Sequence, residues 1–245
     1  MRQAVDSWVV GISQRKRVGE LRFILARWSL FNAVTILSAV AVTWASASFL
    51  VVPLAAGFSF SGLILCARPH WTGTGAFGWA NTVTALRLLG VLTLPIFYPL
   101  VAPNFAAFVG AFLLVTDGLD GWLARRRHEA SEFGEYFDKE TDALFLLVLC
   151  ILAVLDERLW RWVLILGLFR YAFLILIRFL SPNVLKEEKS ARARITYGFV
   201  MGAMLLSFLP YPGFYKPLVV MGVMALILSF TMDFTRGVSP SCRRN

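Results

Sequence analysis

Charge is scarce in this chain. Only 16% of its 245 residues are Asp, Glu, Lys or Arg, where a soluble domain carries about 25%. Histidine and cysteine are scarcer still, at two and three residues. None of them has metal-ligand spacing to another, so no zinc-ligand motif is present and Cys66, Cys150 and Cys242 read as free, structural thiols. Residues 1–27 lack a long apolar core and a small-residue cleavage site, so no secretory leader is expected. What fills the chain instead is apolar: 58% hydrophobic residues and a mean hydropathy of +0.69. Several apolar runs reach the roughly 20 residues that a helix needs to cross a bilayer. The composition is that of an integral membrane protein.

The formal charge of +9 does not form a nucleic-acid patch. Basic residues fall at alternate ends of the apolar runs, as orientation signals and lipid-headgroup anchors do. Eight spans are expected, at about 29–48, 49–66, 79–101, 103–125, 140–156, 159–180, 191–210 and 214–234. With that count, 19 of the 24 Lys/Arg lie on one side and only Arg158, Arg161 and Lys216 on the other. Both termini are then expected in the cytoplasm. Residues 1–28 follow helical spacing with interrupting cations. They are expected to form a basic amphipathic helix, broken near Gly11, lying on the membrane face. Arg87 and Arg170 fall inside spans, where each cation needs an acid, a phosphate or a water-filled cavity.

The acids are concentrated where a membrane disfavours them most. Eight of the fifteen lie between Asp117 and Asp142, flanked by AAFVGAFLLVT and LFLLVLCILAVL. Asp117 and Asp120 are three apart, and Asp138 and Asp142 four apart; each spacing puts two side chains on one helix face. If the two helices are antiparallel neighbours, the four carboxylates converge and need cations. Hard carboxylate oxygens suit Mg²⁺ or Mn²⁺. Gly121 and Ala124 leave room for a ligand beside the aspartates, and Arg125 is a fork donor suited to phosphate. Glu129, Glu132, Glu135 and Glu140 lie off this pattern and are expected in solvent.

The run Asp117-x2-Asp120-Gly121-x2-Ala124-Arg125-x8-Gly134-x3-Asp138-x3-Asp142 resembles the signature of the CDP-alcohol phosphatidyltransferase family at every specified position. Upstream, ANTVTALR at 80–87 is similar to that family's Asn-x-x-Thr element, with Ala80 where a proline often stands. The resemblance implies an all-α integral membrane fold. The family's six-helix core would be 79–235; the two extra transmembrane helices expected at 29–78, the basic amphipathic helix at 1–28 and a tail at 236–245 fall outside it. The resemblance implies two Mg²⁺ or Mn²⁺ per active site, bridged by Asp117 and Asp138, with Asp120 on one ion and Asp142 on the other as general base. It also implies nucleotide or phosphate contacts from Asn81, Thr82, Val83, Thr84, Gly121, Arg125 and Ser131. Asn81, Thr84 and Ser131 fit helix caps as well.

Arg170, Arg192 and Arg194 are candidates for an acceptor or lipid phosphate; Arg170 fits a structural ion pair equally, and Arg192 and Arg194 a membrane anchor. The implied partners are a CDP-alcohol donor, CDP-diacylglycerol foremost, a hydroxyl acceptor and membrane lipids, without nucleic acid. Many relatives are homodimers. The implied place is a bacterial inner or cell membrane with the site facing the cytoplasm. Members that form phosphatidylglycerophosphate often carry Pro after the third aspartate, where this chain has Lys139, so the acceptor stays open. A UbiA-like prenyltransferase would separate its aspartate motifs widely, and a carboxylate-lined transporter would place its acids mid-span.

Overall fold

In the computed structural model, residues 2–72, 75–127, 129–180 and 191–238 are described; side chains are described for 18–72, 75–118, 125–127, 129–176 and 194–228. Among the described residues there are eight α-helices and no strand. They are α1 (Arg2–Ser46), α2 (Val51–Cys66), α3 (Trp79–Phe97), α4 (Pro103–Arg127), α5 (Glu132–Leu155), α6 (Leu164–Leu180), α7 (Ala191–Leu206) and α8 (Pro212–Val238). Each expected apolar span has a helix in its place.

Breaks between helices follow local chemistry. Ala47 turns left-handed at φ 50° and stops α1. Pro99 sits in a 3-10 turn after α3, and Pro103 opens α4, where its missing N–H costs nothing. One boundary differs from expectation. The backbone is helical without interruption from Arg2 to Ser46, so no break forms at Gly11. A lone glycine in a long helix costs only about 1 kcal/mol relative to alanine, too little to end it.

α5 is the axis of the bundle. Every residue from Ala143 to Val154 is buried, as expected of a helix that is apolar all round. Glycines set the closest approaches. A Cβ on Gly167 of α6 would lie 2.7 Å from the Leu147 Cα of α5, and one on Gly90 of α3 would lie 2.6 Å from the Leu113 side chain of α4. Small residues let helices pack closely where lipid removes the hydrophobic drive between them. Because the obstacle at Gly167 is backbone, Gly167→Ala should push α5 and α6 apart and cost about 1–3 kcal/mol. A lower unfolding midpoint in detergent would register it; an unchanged midpoint would contradict this packing.

The first two helices dock on the rest. The Trp28 indole donates to the Ser59 carbonyl at 2.8 Å, and the Ser59 hydroxyl to Asn32 Oδ1 at 2.8 Å, tying α1 to α2. The Trp28 ring meets Phe60 of α2 and Tyr136 of α5 edge-on. Arg22 pairs with Glu132 at 2.8 Å. At the opposite end, Tyr98 and Arg158 both donate to Asp156, and Arg158 also donates to the Ser207 carbonyl.

The bundle turns large apolar side chains outward. Leu54, Phe58, Leu86, Phe108, Phe112 and Val115 are all exposed. Water disfavours such a surface, whereas lipid accepts it. Val18–Ser46 and Trp79–Leu100 are long and apolar enough to cross a membrane, and α2, Pro103–Gly118, Arg194–Leu206 and Pro212–Leu228 are shorter apolar helices. This is the exterior of a membrane protein.

Candidate active site

Three helices bring the site together. α4 supplies Asp117; α5 supplies Asp138 and Asp142, one turn apart on the same face. One carboxylate oxygen from each of the three lies within 4.8 Å of the others. That spacing lets the oxygens share a hard divalent cation after small side-chain rotations, and the donor set suits Mg²⁺ or Mn²⁺. α5 starts at Glu132, ahead of its apolar stretch, so Asp138 and Asp142 lie well inside the helix. Its early start comes from Ser131, whose hydroxyl accepts from the Gly134 N–H at 3.0 Å and caps the helix.

The third helix, α3, supplies Arg87. Its Nη1 donates to Asp117 Oδ1 at 2.6 Å and its Nη2 to Asp142 Oδ1 at 2.9 Å; Nη2 also pairs with Asp138. The Arg87 side chain is 1% exposed, against 37%, 34% and 23% for Asp117, Asp138 and Asp142. The guanidinium therefore lies beneath the carboxylates, which keep an outward side open. From α7, the Tyr197 hydroxyl donates to the Asp142 carbonyl at 2.8 Å and fixes that turn of α5.

The expected nucleotide residues gather at the starts of α3 and α5. Asn81 and Thr84 are buried, on the same face of α3 as Arg87. Asn81 Nδ2 donates to the carbonyls of Phe77 at 2.6 Å and Trp71 at 3.2 Å. The Ser131 hydroxyl donates to that same Trp71 carbonyl at 2.7 Å, so the two helix starts are clamped together. A Cβ on Gly134 would come 2.6 Å from Asn81 Oδ1, so that glycine permits the contact. Thr82 is exposed and its hydroxyl donates to the Gly78 carbonyl at 2.8 Å; that of Thr84 donates to the Ala80 carbonyl at 3.2 Å. Val83 is half-buried and Arg125 exposed in the last turn of α4. Asn81 is not the cap of α3: Gly78 holds that place at φ 80°. Glu129 accepts from the Trp79 N–H at 2.7 Å and more distantly from that of Ala80, a favourable anion at a helix start.

Two expectations about charge need correction. Glu140 is not in solvent: it is fully buried and accepts from Arg170 at 2.6 Å and 3.1 Å. At two residues from both Asp138 and Asp142, its side chain leaves α5 on the other face, toward α6. Arg170 therefore makes a structural ion pair in this structure. Glu129 likewise serves a helix end rather than water alone. Arg194 is exposed near the start of α7. The side-chain surroundings of Asp120, Gly121 and Arg192 fall outside the described residues, although α4 and α7 are helical there. Arg87 was legible as a buried cation in need of acids, but nothing in the spacing assigned it to the aspartates. No sequence signal marks Trp71 or Tyr197.

A family profile described as CDP-alcohol phosphatidyltransferase matches residues 77–232, well over half of the chain. Curated relatives include a CDP-diacylglycerol–glycerol-3-phosphate 3-phosphatidyltransferase of Pseudomonas fluorescens, 38% identical over 87 residues, which are 33% of this chain and 43% of that protein. Proteins of the same name from Pectobacterium atrosepticum and Escherichia coli K12 are 34% and 33% identical over 89 residues, 34% of this chain and 48% of theirs. The chain thus spans under half the length of the curated relatives it matches. No solved structure matches it.

Proposed function

Because the chain belongs to the CDP-alcohol phosphatidyltransferase family, we propose that it moves a phosphatidyl group from CDP-diacylglycerol to a hydroxyl acceptor and releases CMP. The observation that carries this reading is the convergence of Asp117, Asp138 and Asp142 within 4.8 Å. Asp117, Asp120, Asp138 and Asp142 would hold divalent ions, whose hard charge their carboxylate oxygens suit. When bound, such ions neutralise the carboxylates, polarise phosphoryl oxygens and lower the pKa of a nearby hydroxyl.

The chain's own residues would then act as follows. Asp142 takes the proton of the acceptor hydroxyl, whose oxygen forms a bond to the β-phosphorus. The bond from that phosphorus to the bridging oxygen breaks, and CMP leaves with the electron pair. Arg125, exposed at the end of α4, would donate to phosphate oxygens. Asn81, Thr82, Thr84 and Ser131 shape the clamped starts of α3 and α5 on which the nucleotide would rest. The eight helices would be eight spans, with residues 79–235 as a six-helix core and both termini and the site in the cytoplasm.

Lys139 after the third aspartate departs from the pattern of phosphatidylglycerophosphate-forming members, while the relatives' names carry glycerol 3-phosphate. The test is therefore an acceptor series starting with glycerol 3-phosphate. Purified protein in lipid, with Mg²⁺ and CDP-diacylglycerol labelled in the cytidine, should release CMP only when its acceptor is present. Chelation should stop release and Mn²⁺ restore it. No release with any acceptor, across both lipid-linked and soluble CDP-alcohol donors, would reject the reading.

A further inference from the structure

Arg87 is a feature of the site that the catalytic scheme leaves idle. It is a permanent cation, buried to 1% exposure, and it bonds to three carboxylates from two other helices. Resting on the reading of the aspartates as a divalent-cation site, we propose that Arg87 makes cation binding depend on the anionic donor.

The guanidinium is buried and hydrogen-bonds the carboxylates directly, so its charge is poorly screened there. A divalent ion arriving alone meets aspartates already partly neutralised, and it must displace or share oxygens that Arg87 holds. Two divalent ions against four aspartates and one arginine leave one positive charge in excess. A diphosphate offsets that charge and gains from it. Arg87 therefore weakens the ions alone and strengthens ions and diphosphate together, and the effect is reciprocal because it is a coupling between two ligands. A second consequence follows from the same contacts: Arg87 keeps like charges from driving α4 and α5 apart before any ligand arrives.

The test measures Mn²⁺ binding to the full-length protein in nanodiscs, from the free-ion magnetic resonance signal, with and without CDP-diacylglycerol and with no acceptor. Wild type should bind Mn²⁺ about tenfold or more tightly when CDP-diacylglycerol is present, within the usual range of coupling. Arg87→Met should bind Mn²⁺ alone about tenfold more tightly than wild type and lose most of the dependence on the donor. Arg87→Lys, which keeps the charge, should stay near wild type. If wild type binds Mn²⁺ at the aspartates, as shown by loss in Asp138→Asn, and Arg87→Met binds it no more tightly, the inference fails alone. If wild type binds no Mn²⁺ under either condition, the cation reading fails with it. Should Arg87→Met not fold, wild type still decides: Mn²⁺ affinity indifferent to the donor overturns the inference.

Discussion

Asp142→Asn is expected to lower CMP release by about 10²–10⁴-fold, the usual contribution of a positioned general base. Asparagine has the same shape and still offers an oxygen to Arg87, but it cannot take the acceptor's proton. Its backbone carbonyl remains available to Tyr197, whose hydroxyl donates to it at 2.8 Å, so the local helix should persist. Helical content and unfolding midpoint should therefore stay near wild type while turnover collapses. A loss of less than about tenfold, well below the range for a general base, would assign the proton to another group.

The second large effect concerns stability. Glu140 and Arg170 form an ion pair in which the carboxylate is fully buried, and Glu140 Oε2 has no hydrogen-bond partner among the described residues. Glu140→Ala should cost about 1.5–3 kcal/mol, the usual worth of hydrogen bonds to a charged group, because it removes the buried carboxylate that accepts twice from the half-buried Arg170 guanidinium. The double replacement Glu140→Leu with Arg170→Met should recover most of that loss, since well-packed apolar residues often replace a buried pair without penalty. Unfolding in mixed detergent micelles reads both. If the single change proved harmless, the pair would not be what joins α5 to α6 near the site. Because the side chain leaves α5 on the face opposite Asp138 and Asp142, this pair is one of the contacts that hold the helix carrying them. The variant should accordingly lose activity in step with stability, unlike Asp142→Asn.

The sequence was most informative where chemistry is local. Asp138 and Asp142, four apart, share a helix face under any tertiary arrangement, and the apolar runs announce their helices. The motif from Asp117 to Asp142 was legible as a family signature, and its match at 77–232 places the chain in that family. Arg87 was half legible. An unpaired cation within an apolar run demands a partner, but its acids lie 30, 51 and 55 residues away. Only the packing of α3 against α4 and α5 chooses them. Arg170 was similar: an acceptor contact and an ion pair were both open until α6 lay beside α5.

By itself, then, the sequence determined a helical membrane protein, the paired aspartates and the hard-cation chemistry their oxygens favour. These follow from composition and from spacings shorter than two helical turns. Tertiary structure alone decided that Glu140 is buried rather than solvated, that Ser131 and Asn81 share the Trp71 carbonyl, and that Arg87 lies beneath the carboxylates. The physical reason is common to all of them. A buried charge or hydrogen-bonding group must find a partner, but neither charge nor hydrogen bonding depends on distance along the chain, so the partner appears only when the helices are packed.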